Sequence, residues 1–370
     1  MLRFLLFALL LAGVYALQSA LCVRSFRQVA YRCYFDREEA YEGESAELIE
    51  EIENRSFMPL PWLRSEYSVS RNLEFADTHS VITDRTRFVR SFFFLHGRSR
   101  VQRRWRVRLL QRGEYRVERV LLVTSDLFGS FRKARSAGDL GGTLLVLPGC
   151  LEAPGLADAV RSRAAGEQQL RQSLLEDPFT AATLRPYTGW GRVSRIDWKS
   201  SARLQALVTR TPEPAVHRIL CIAFTAQTGE YGKRFVGEAV SEHTIRVCAT
   251  LFRDLTLQGV PFCVQSPCTC RGELLQTPVS TSQESCLALM RALAVLDTEP
   301  EQSLRQCVSL PADAQLVLVV PYISEDVRRL CVRHPDAVVL LTAPGETGDA
   351  DFIPVYEHAL DRKEVPHARP

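Results

Sequence analysis

The residues best suited to chemistry lie in one stretch, residues 189–203, which reads Gly-Trp-Gly-Arg-Val-Ser-Arg-Ile-Asp-Trp-Lys-Ser-Ser-Ala-Arg. Arg195 and Lys199 flank Asp197, and neighbouring cations favour the charged form of a carboxyl group. Trp198 offers a flat aromatic face to a guanidinium group. No nucleophile has a base beside it in this stretch, so a docking surface fits these residues. The alternative is an amphipathic strand and helix start that closes a domain edge, with Trp198 in the core.

The longer segment 184–210 resembles the signature of the bacterial domain-of-unknown-function 58 family. Pro186 and Trp190 stand where the family usually carries acidic residues, so a role that needs those carboxylates is not expected. We call 184–210 the signature segment and interpret it as a brace between two domains. The residues that carry the resemblance are Arg185, Tyr187, Gly189, Arg195, Ile196, Asp197, Trp198, Lys199, Ala202 and Arg203.

The resemblance also implies a von Willebrand factor A-like α/β domain over residues 211–370. Such domains usually hold a divalent metal through Asp-x-Ser-x-Ser directly after their first strand. This chain has Phe224-Thr225-Ala226-Gln227-Thr228 at that place. Because Mg²⁺ is commonly bound through carboxylates, neutral hydroxyl groups alone would hold it poorly. We therefore predict a degenerate metal-site loop at Thr225 and Thr228, with no metal, no cofactor and no catalytic residue.

Eleven cysteines do not follow the spacing of a disulfide framework, and most lie in apolar runs. Buried free thiols in a reducing compartment are the simplest interpretation. Cys263, Cys268, Cys270 and Cys286 lack paired C-x-x-C spacing and a nearby histidine, so they do not indicate a zinc site.

The N-terminus carries the second strong pattern. Residues 4–23 contain no charge, and their number is about what a helix needs to cross a bilayer. We predict a membrane anchor helix over residues 1–23; a cleaved signal peptide is the alternative. Arg24, Arg27 and Arg32 follow the helix, and this bias places the protein in the cell inner membrane as a single-pass protein with cytoplasmic soluble domains.

Residues 30–148 have the pattern of a β-sandwich-like domain, with short β-like runs separated by turns. The predicted strands are 46–52, 87–95, 104–110, 115–124 and 143–147. Seven arginines crowd between residues 98 and 112, and their alternation with Trp105, Val107 and Leu109 places them on the solvent face of a strand. They indicate a charged strand edge, or otherwise a surface for an acidic partner or lipid headgroups.

Residues 149–183 are predicted to be a linker with a surface helix spaced through Ala159, Leu170 and Leu174. After the signature segment, residues 211–370 alternate between apolar strands and amphipathic helices. The strands are predicted at 219–224, 261–265, 316–320 and 337–341, and the helices at 238–257, 282–296 and 324–333. This alternation is typical of a mostly parallel sheet flanked by helices.

Lys+Arg of 46 nearly cancel Asp+Glu of 43, so the net charge of +3 does not indicate nucleic-acid binding. The family resemblance implies a membrane-anchored, non-enzymatic interaction or assembly factor. Its implied partner is a MoxR-type AAA+ ATPase, in the maturation of protein complexes or in the envelope stress response, and its other partner is the lipid bilayer. The alternative is a hydrolase with a site near Tyr187, Arg195 and Asp197.

Overall fold

The computed structural model describes residues 2–76, 81–82, 86–117, 119–125, 132–137, 142–164, 183–186, 198–211, 219–231, 234–299, 302–311, 314–344 and 352–355. The chain divides into two compact units. Unit 1 comprises Met1–Gly149 and Leu289–Val295, and unit 2 comprises Cys150–Ala288 and Leu296–Pro370. The predicted linker and signature segment both belong to unit 2 from Cys150 onward, and their separate roles stay predictions.

Helix α1 covers Leu2–Arg27 and so extends past the predicted end of the anchor at residue 23. Its stretch Phe4–Arg27 is long and apolar enough to cross a membrane. Cys22 and Phe26, near its end, are buried in the core of unit 1. The first strand starts at Val29, so the helix enters the sheet with almost no linker.

The described residues of unit 1 form three sheets. Its strands are β1 (Val29–Phe35), β2 (Glu39–Tyr41), β3 (Ser45–Asn54), β4 (Leu60–Ser70), β5 (Leu73–Phe75), β6 (Val81–Ile82), β7 (Thr86–Leu95), β8 (Ser99–Leu109), β9 (Gly113–Arg116), β10 (Val120–Ser125), β11 (Arg132–Ser136) and β12 (Thr143–Leu147). The sheet orders are β1-β3-β8-β5, β11-β10-β4-β7-β6 and β2-β12-β9. All neighbours are antiparallel except β2 and β12.

The two larger sheets bury one face each in a common apolar core, which gives unit 1 its sandwich-like form. In β7 every second side chain, from Arg87 to Leu95, is buried and those between are exposed, as expected for a strand with one solvated face. Four of the five predicted strands correspond to single strands. The predicted strand 115–124 is wrong, because the chain leaves one sheet after Arg116 and enters another at Val120.

A carboxylate lies inside this core. The alternation of β3 turns Glu50 inward with Leu48 and Ile52, and Glu50 is fully buried. Its Oε1 accepts hydrogen bonds from the Tyr31 hydroxyl and the Ser65 hydroxyl, each at 2.8 Å. Its Oε2 accepts from Ser91 Oγ at 3.0 Å and from Trp105 Nε1 at 2.7 Å.

Tyr31 and Trp105 lie on β1 and β8 in the sheet of Glu50, whereas Ser65 and Ser91 lie on β4 and β7 of the facing sheet. The carboxylate therefore joins the two sheets through four donors. Burying a charged group is costly unless it is hydrogen-bonded, and here each carboxylate oxygen accepts two hydrogen bonds.

Strand β8 exposes four of its arginines, as predicted: Arg100, Arg104, Arg106 and Arg108. Arg100 and Arg106 lie opposite Glu53 and Glu47 of β3. Arg100 also pairs with Glu51 at 2.5 Å, and Arg104 pairs with Glu47 at 3.5 Å. Such exposed pairs contribute little to stability but balance the charge of the sheet surface.

The prediction is wrong for Arg103 and Arg112, which do not line the solvent face. Arg103 is half-buried, with its guanidinium carbon 4.3 Å from the ring centroid of Phe93. Arg112 is buried. Arg103 is two residues from Trp105 on β8, so both side chains point to the inner face of the sheet. The charge of Arg103 therefore lies over aromatic rings instead of in water.

Unit 2 begins with a helix over residues 156–164, here α2. Leu156, Ala157, Val160 and Ala164 of α2 are buried, whereas its charged side chains are exposed. One apolar face against the core and one charged face in solvent are typical of a surface helix, as predicted for this part of the linker. Leu170 and Leu174 lie outside the described residues.

The remaining elements of unit 2 follow in chain order. They are β13 (Thr183–Pro186), α3 (Trp198–Leu204), β14 (Val208–Thr211), β15 (Leu220–Phe224), β16 (Gly229–Tyr231), β17 (Arg234–Val236), α4 (Glu238–Leu257), β18 (Phe262–Cys270), β19 (Glu273–Gln276), α5 (Gln283–Ala294, whose last residues belong to unit 1), α6 (Leu304–Cys307), β20 (Gln315–Val320), α7 (Glu325–Arg333), β21 (Val338–Leu341) and β22 (Phe352–Pro354).

One six-stranded sheet dominates unit 2, with the order β19-β18-β15-β20-β21-β22. Its neighbours are parallel except for the edge strand β19. Every residue of β15, β20 and β21 is buried, which is typical of strands covered on both faces. The predicted alternation of strands and helices is confirmed as a mostly parallel sheet, although β18 continues to Cys270 instead of ending at 265.

Serines start two of the helices. Val327 N donates to Ser324 Oγ at 3.4 Å before α7, and Ser285 N donates to Ser282 Oγ at 3.1 Å before α5. Both serines occupy the N-cap position that satisfies a free amide of the first turn. Helix α4 has the predicted bounds.

We expect Glu50→Ala to lower the free energy of unfolding by about 3 kcal/mol or more, because three buried donors and the partly buried Trp105 then lose their acceptor. Urea denaturation of the full chain measures the change. Glu53→Ala, on the outer face of the same strand, is the matched control and is expected to cost less than about 1 kcal/mol. Equal losses in the two variants would contradict the role of Glu50.

A second prediction concerns alkaline pH. Burial, followed by the nearby Glu50 carboxylate, raises the pKa of Cys33 from 9.0 to about 12. The unfolded chain therefore releases this proton first, so stability is complete below pH 9 and falls as pH rises towards 12. The expected slope from Cys33 is about 1.4 kcal/mol per pH unit.

Urea titrations of the full chain between pH 9 and pH 10 test this, before the buried tyrosines add their own contribution. Cys33→Ala is expected to flatten the profile relative to the parent protein. Cys286→Ala, at a half-buried thiol, is the control. A Cys33→Ala profile parallel to that of the parent would show that Cys33 is not responsible.

Candidate functional site

The sheet of unit 2 has a topological switch point between β15 and β20. From β15 the chain moves outward through β18 to β19, and it then returns to β20 on the other side of β15. Ligands of open α/β sheets bind in the crevice at the carboxyl ends of the strands at such a point. The residues after β15 therefore form the candidate site, and they include the predicted loop residues Thr225 and Thr228.

Hydroxyl groups define the chemistry of this site. Thr225 is fully buried, its amide donates to the carbonyl of Val319 at 3.2 Å, and its Oγ1 has no hydrogen-bond partner among the described residues. Thr228 Oγ1 lies 3.2 Å from Thr298 Oγ1, and the Thr228 amide donates to the Thr298 carbonyl at 2.9 Å. These contacts fix the loop through neutral groups.

Helix α4 closes the loop from the other side. Ser241 Oγ donates to the carbonyl of Ala226, and both residues are buried. One turn on, Thr244 Oγ1 lies 2.7 Å from Thr342 Oγ1, after β21. Two strand ends are thus tied to one helix through hydroxyl groups, which are weak ligands for a divalent cation.

Phe224 occupies the position at which the resembling family usually has its aspartate. Its side chain is fully buried and contacts Phe252 edge to face, with ring centroids 6.4 Å apart. Phe252 in turn stacks on Phe262 at 5.6 Å. The strand end is therefore part of the apolar core, and among the described residues no group of three His, Cys, Asp or Glu side chains could hold a metal ion.

Two buried thiols near this core, Cys248 and Cys221, are poor nucleophiles. Burial raises the pKa of Cys248 on α4, and a hydrogen bond with Cys263 together with burial raises the pKa of Cys221 on β15. A thiol is a nucleophile in its thiolate form, which these environments disfavour. The eleven cysteines are free, and most are buried.

The signature segment is described only in part. Arg185 lies in β13, which pairs antiparallel with β14. Trp198, Lys199, Ala202 and Arg203 lie on α3, and all four are exposed. The alternative that places Trp198 in the core is wrong, because this side chain is 62% exposed. Tyr187, Gly189, Arg195, Ile196 and Asp197 lie outside the described residues, and the bracing role of the segment stays a prediction.

Helix α3 is attached to β14 through a serine that the sequence analysis does not single out. Ser201 is buried, and its Oγ accepts a hydrogen bond from Val208 N at 2.9 Å. Lys199 and Arg203, four residues apart, lie on the side of α3 opposite Ser201, so one side of the helix is anchored and the other carries two exposed cations. The spacing of Ser201 from Lys199 and Arg203 on a helix is the available signal.

No protein-family model matches the chain, and no curated protein matches it. Among solved structures, the chain is similar to a CARDB domain from Pyrococcus furiosus solved with di-metal ions, at 10% identity, over 32% of this chain and 91% of that one, with a TM-score of 0.21. It is also similar to a non-cellulosomal cohesin from Archaeoglobus fulgidus, at 15% identity, over 32% and 91%, with a TM-score of 0.22.

A third similar structure is an exo-β-N-acetylglucosaminidase from Vibrio harveyi, at 8% identity, over 34% of this chain and 20% of that one, with a TM-score of 0.24. These scores are too low to carry an argument about function. The sandwich-like form of unit 1 follows from its own sheets and core.

A titration tests the loss of the metal site. We expect calorimetric titration of the full chain with Mg²⁺ to give no saturable heat, because the strand end presents hydroxyls and a buried phenyl ring instead of a carboxylate. Titration of a Thr225→Ala, Thr228→Ala variant supplies the background. A micromolar affinity that this variant loses would contradict the prediction.

Proposed function

We propose that the protein is a membrane-anchored, non-enzymatic interaction or assembly factor that works with a MoxR-type AAA+ ATPase. In this proposal unit 2 is a degenerate von Willebrand factor A-like domain, and the chain belongs to the domain-of-unknown-function 58 family. The process it serves is the maturation of protein complexes or the envelope stress response. The resemblance of the signature segment supplies the family and the partner.

The observation that carries the docking role is the exposed face of α3. Trp198 is 62% exposed, and Lys199 and Arg203 are exposed on the same short helix. Tryptophan and arginine are the residues that most often dominate the energy of protein interfaces. An exposed tryptophan on a helix with two exposed cations supports a partner with an apolar pocket and acidic surroundings.

The switch point supports a non-enzymatic role. Its described residues offer hydroxyl groups held by each other and by carbonyl groups, and no described histidine or carboxylate hydrogen-bonds to Thr225, Thr228 or Ser241. An activated hydroxyl nucleophile needs a base within hydrogen-bond reach. Catalytic activity is therefore not part of the proposal.

Helix α1 supports attachment to the membrane. The apolar side chains from Phe4 to Leu17 are largely exposed, which suits contact with lipid. Arg24 and Arg27 follow the apolar stretch. By the bias of basic residues towards the cytoplasm, we propose a single-pass protein of the cell inner membrane with cytoplasmic units.

Capture of the partner tests the proposal. We expect the full chain, solubilised from native membranes, to recover an AAA+ ATPase in a nucleotide-dependent way. Trp198→Ala with Arg203→Ala is expected to reduce recovery at least tenfold while the free energy of unfolding changes by less than about 0.5 kcal/mol, because both side chains are exposed.

Val332→Ala is the matched control, since Val332 is an exposed apolar residue on α7 of the same unit. It is expected to leave recovery unchanged. Recovery that is equal in the double variant and the control would contradict docking through α3. Recovery of no ATPase by the parent protein would contradict the proposed partner.

A further inference from the structure

An open hollow of about 900 Å³ lies in unit 1 beside the C-terminal half of α1. Helix α1 forms most of its wall, and Lys133 of β11 lies across from the helix. The lining residues are Tyr15, Ser19, Ala20, Val23, Arg24, Arg27, Gln28 and Lys133. The size is that of a site for a small organic ligand.

Three cations surround one end of this hollow: Arg24, Arg27 and Lys133. All three are exposed, and none pairs with a carboxylate among the described residues. Helix α1 contains no acidic residue, so nothing on the helix offsets its two arginines. This end of the hollow therefore favours an anionic ligand.

The other end of the hollow is apolar. Ala20, Val23 and Tyr15 line it, together with Ser19, whose hydroxyl is buried and without a hydrogen-bond partner among the described residues. At the rise of an α-helix, Tyr15 lies roughly 13 Å along the axis from Arg24. A ligand that fills the hollow thus needs an anionic head and an apolar tail of that scale.

The end of the sandwich at which α1 docks also has the composition of a membrane interface. Cys22 Sγ lies 4.0 Å from the carbonyl oxygen of Ser125, and the neighbouring Thr124 donates through Oγ1 to the carbonyl of Trp62 at 3.0 Å. Trp62 is 56% exposed. Tryptophan is enriched where a protein meets the lipid headgroups.

We propose that this hollow binds an anionic phospholipid of the bilayer that α1 enters, with the phosphate between Arg24, Arg27 and Lys133 and the first acyl segment along Val23, Ala20 and Tyr15. The proposal rests on the membrane attachment of α1. The apolar end of the hollow favours a lipid over free phosphate, since inorganic phosphate has no group to place there. The bound lipid holds the sandwich against the membrane surface.

Native mass spectrometry of the full chain released from nanodiscs tests the site. The nanodiscs contain equal parts of phosphatidylcholine and phosphatidylglycerol. We expect phosphatidylglycerol to be retained preferentially, and the variant with Arg24→Gln, Arg27→Gln and Lys133→Gln to lose that preference about tenfold or more. The charge-conserving variant with Arg24→Lys, Arg27→Lys and Lys133→Arg is expected to keep most of it.

The matched control removes three exposed arginines elsewhere in unit 1, through Arg106→Gln, Arg108→Gln and Arg116→Gln. Arg108 lies opposite Ser45, whereas the strand end next to α1 pairs Val29 with Asn54. This control is expected to keep the lipid preference. Equal losses in the two glutamine variants would overturn the site in favour of a general charge effect.

Two further outcomes separate this inference from the proposed membrane attachment. Full chain that enters nanodiscs of phosphatidylcholine alone but shows no preference in the mixture would overturn the lipid site and leave the anchor intact. Full chain that enters neither kind of nanodisc would overturn both. Displacement of the lipid by inorganic phosphate would overturn the assignment of a lipid and indicate a free-anion site.

Discussion

The Glu50 carboxylate is the point at which the two large sheets of unit 1 are tied together. A buried charge is tolerated only where its hydrogen bonds are complete, and this one is completed by strands from both sheets. A slip of β3 by one residue would turn Glu50 to solvent and Ile49 inward, so the register and the facing of the sheets are selected together. The burial of Tyr31, Tyr67 and Cys33 beside it follows from the same arrangement, and it raises the pKa of each.

Periodicity in the sequence predicts much of the fold, because local pattern and burial agree there. The alternation of β7, the apolar runs of β15 and β20, and the amphipathic α4 all have the expected form. Pattern alone does not reveal where a strand changes sheets, as the chain does between Arg116 and Val120. Pattern alone also fails to identify charged residues that point inward. Glu50 and Arg103 lie on the same strand face as their apolar neighbours, whereas their residue types predict exposure to solvent.

The candidate site is predictable only in part, because its contacts join residues that are far apart in the sequence. The sequence identifies Thr225 and Thr228 and the missing aspartate, and the structure places both threonines at the switch point. The partners Thr298 and Thr342 are distant in sequence, and hydroxyl contacts between loops leave no local pattern. The exposure of Lys199 and Arg203 likewise depends on which face of α3 Ser201 anchors, and this is decided by the tertiary contact of Ser201 with Val208.

Helix α1 and the sandwich share residues instead of meeting at a flexible joint. Cys22 and Phe26 lie in the apolar stretch or just beyond it, and both are also part of the core of unit 1. Ser25, between them, is buried as well. Helix α1 therefore cannot be removed without cost to the sandwich, because a chain shortened to begin at Gln28 would leave two vacancies in the core and expose the end of β10. Helix α1 is in this sense a structural component of the sandwich-like unit.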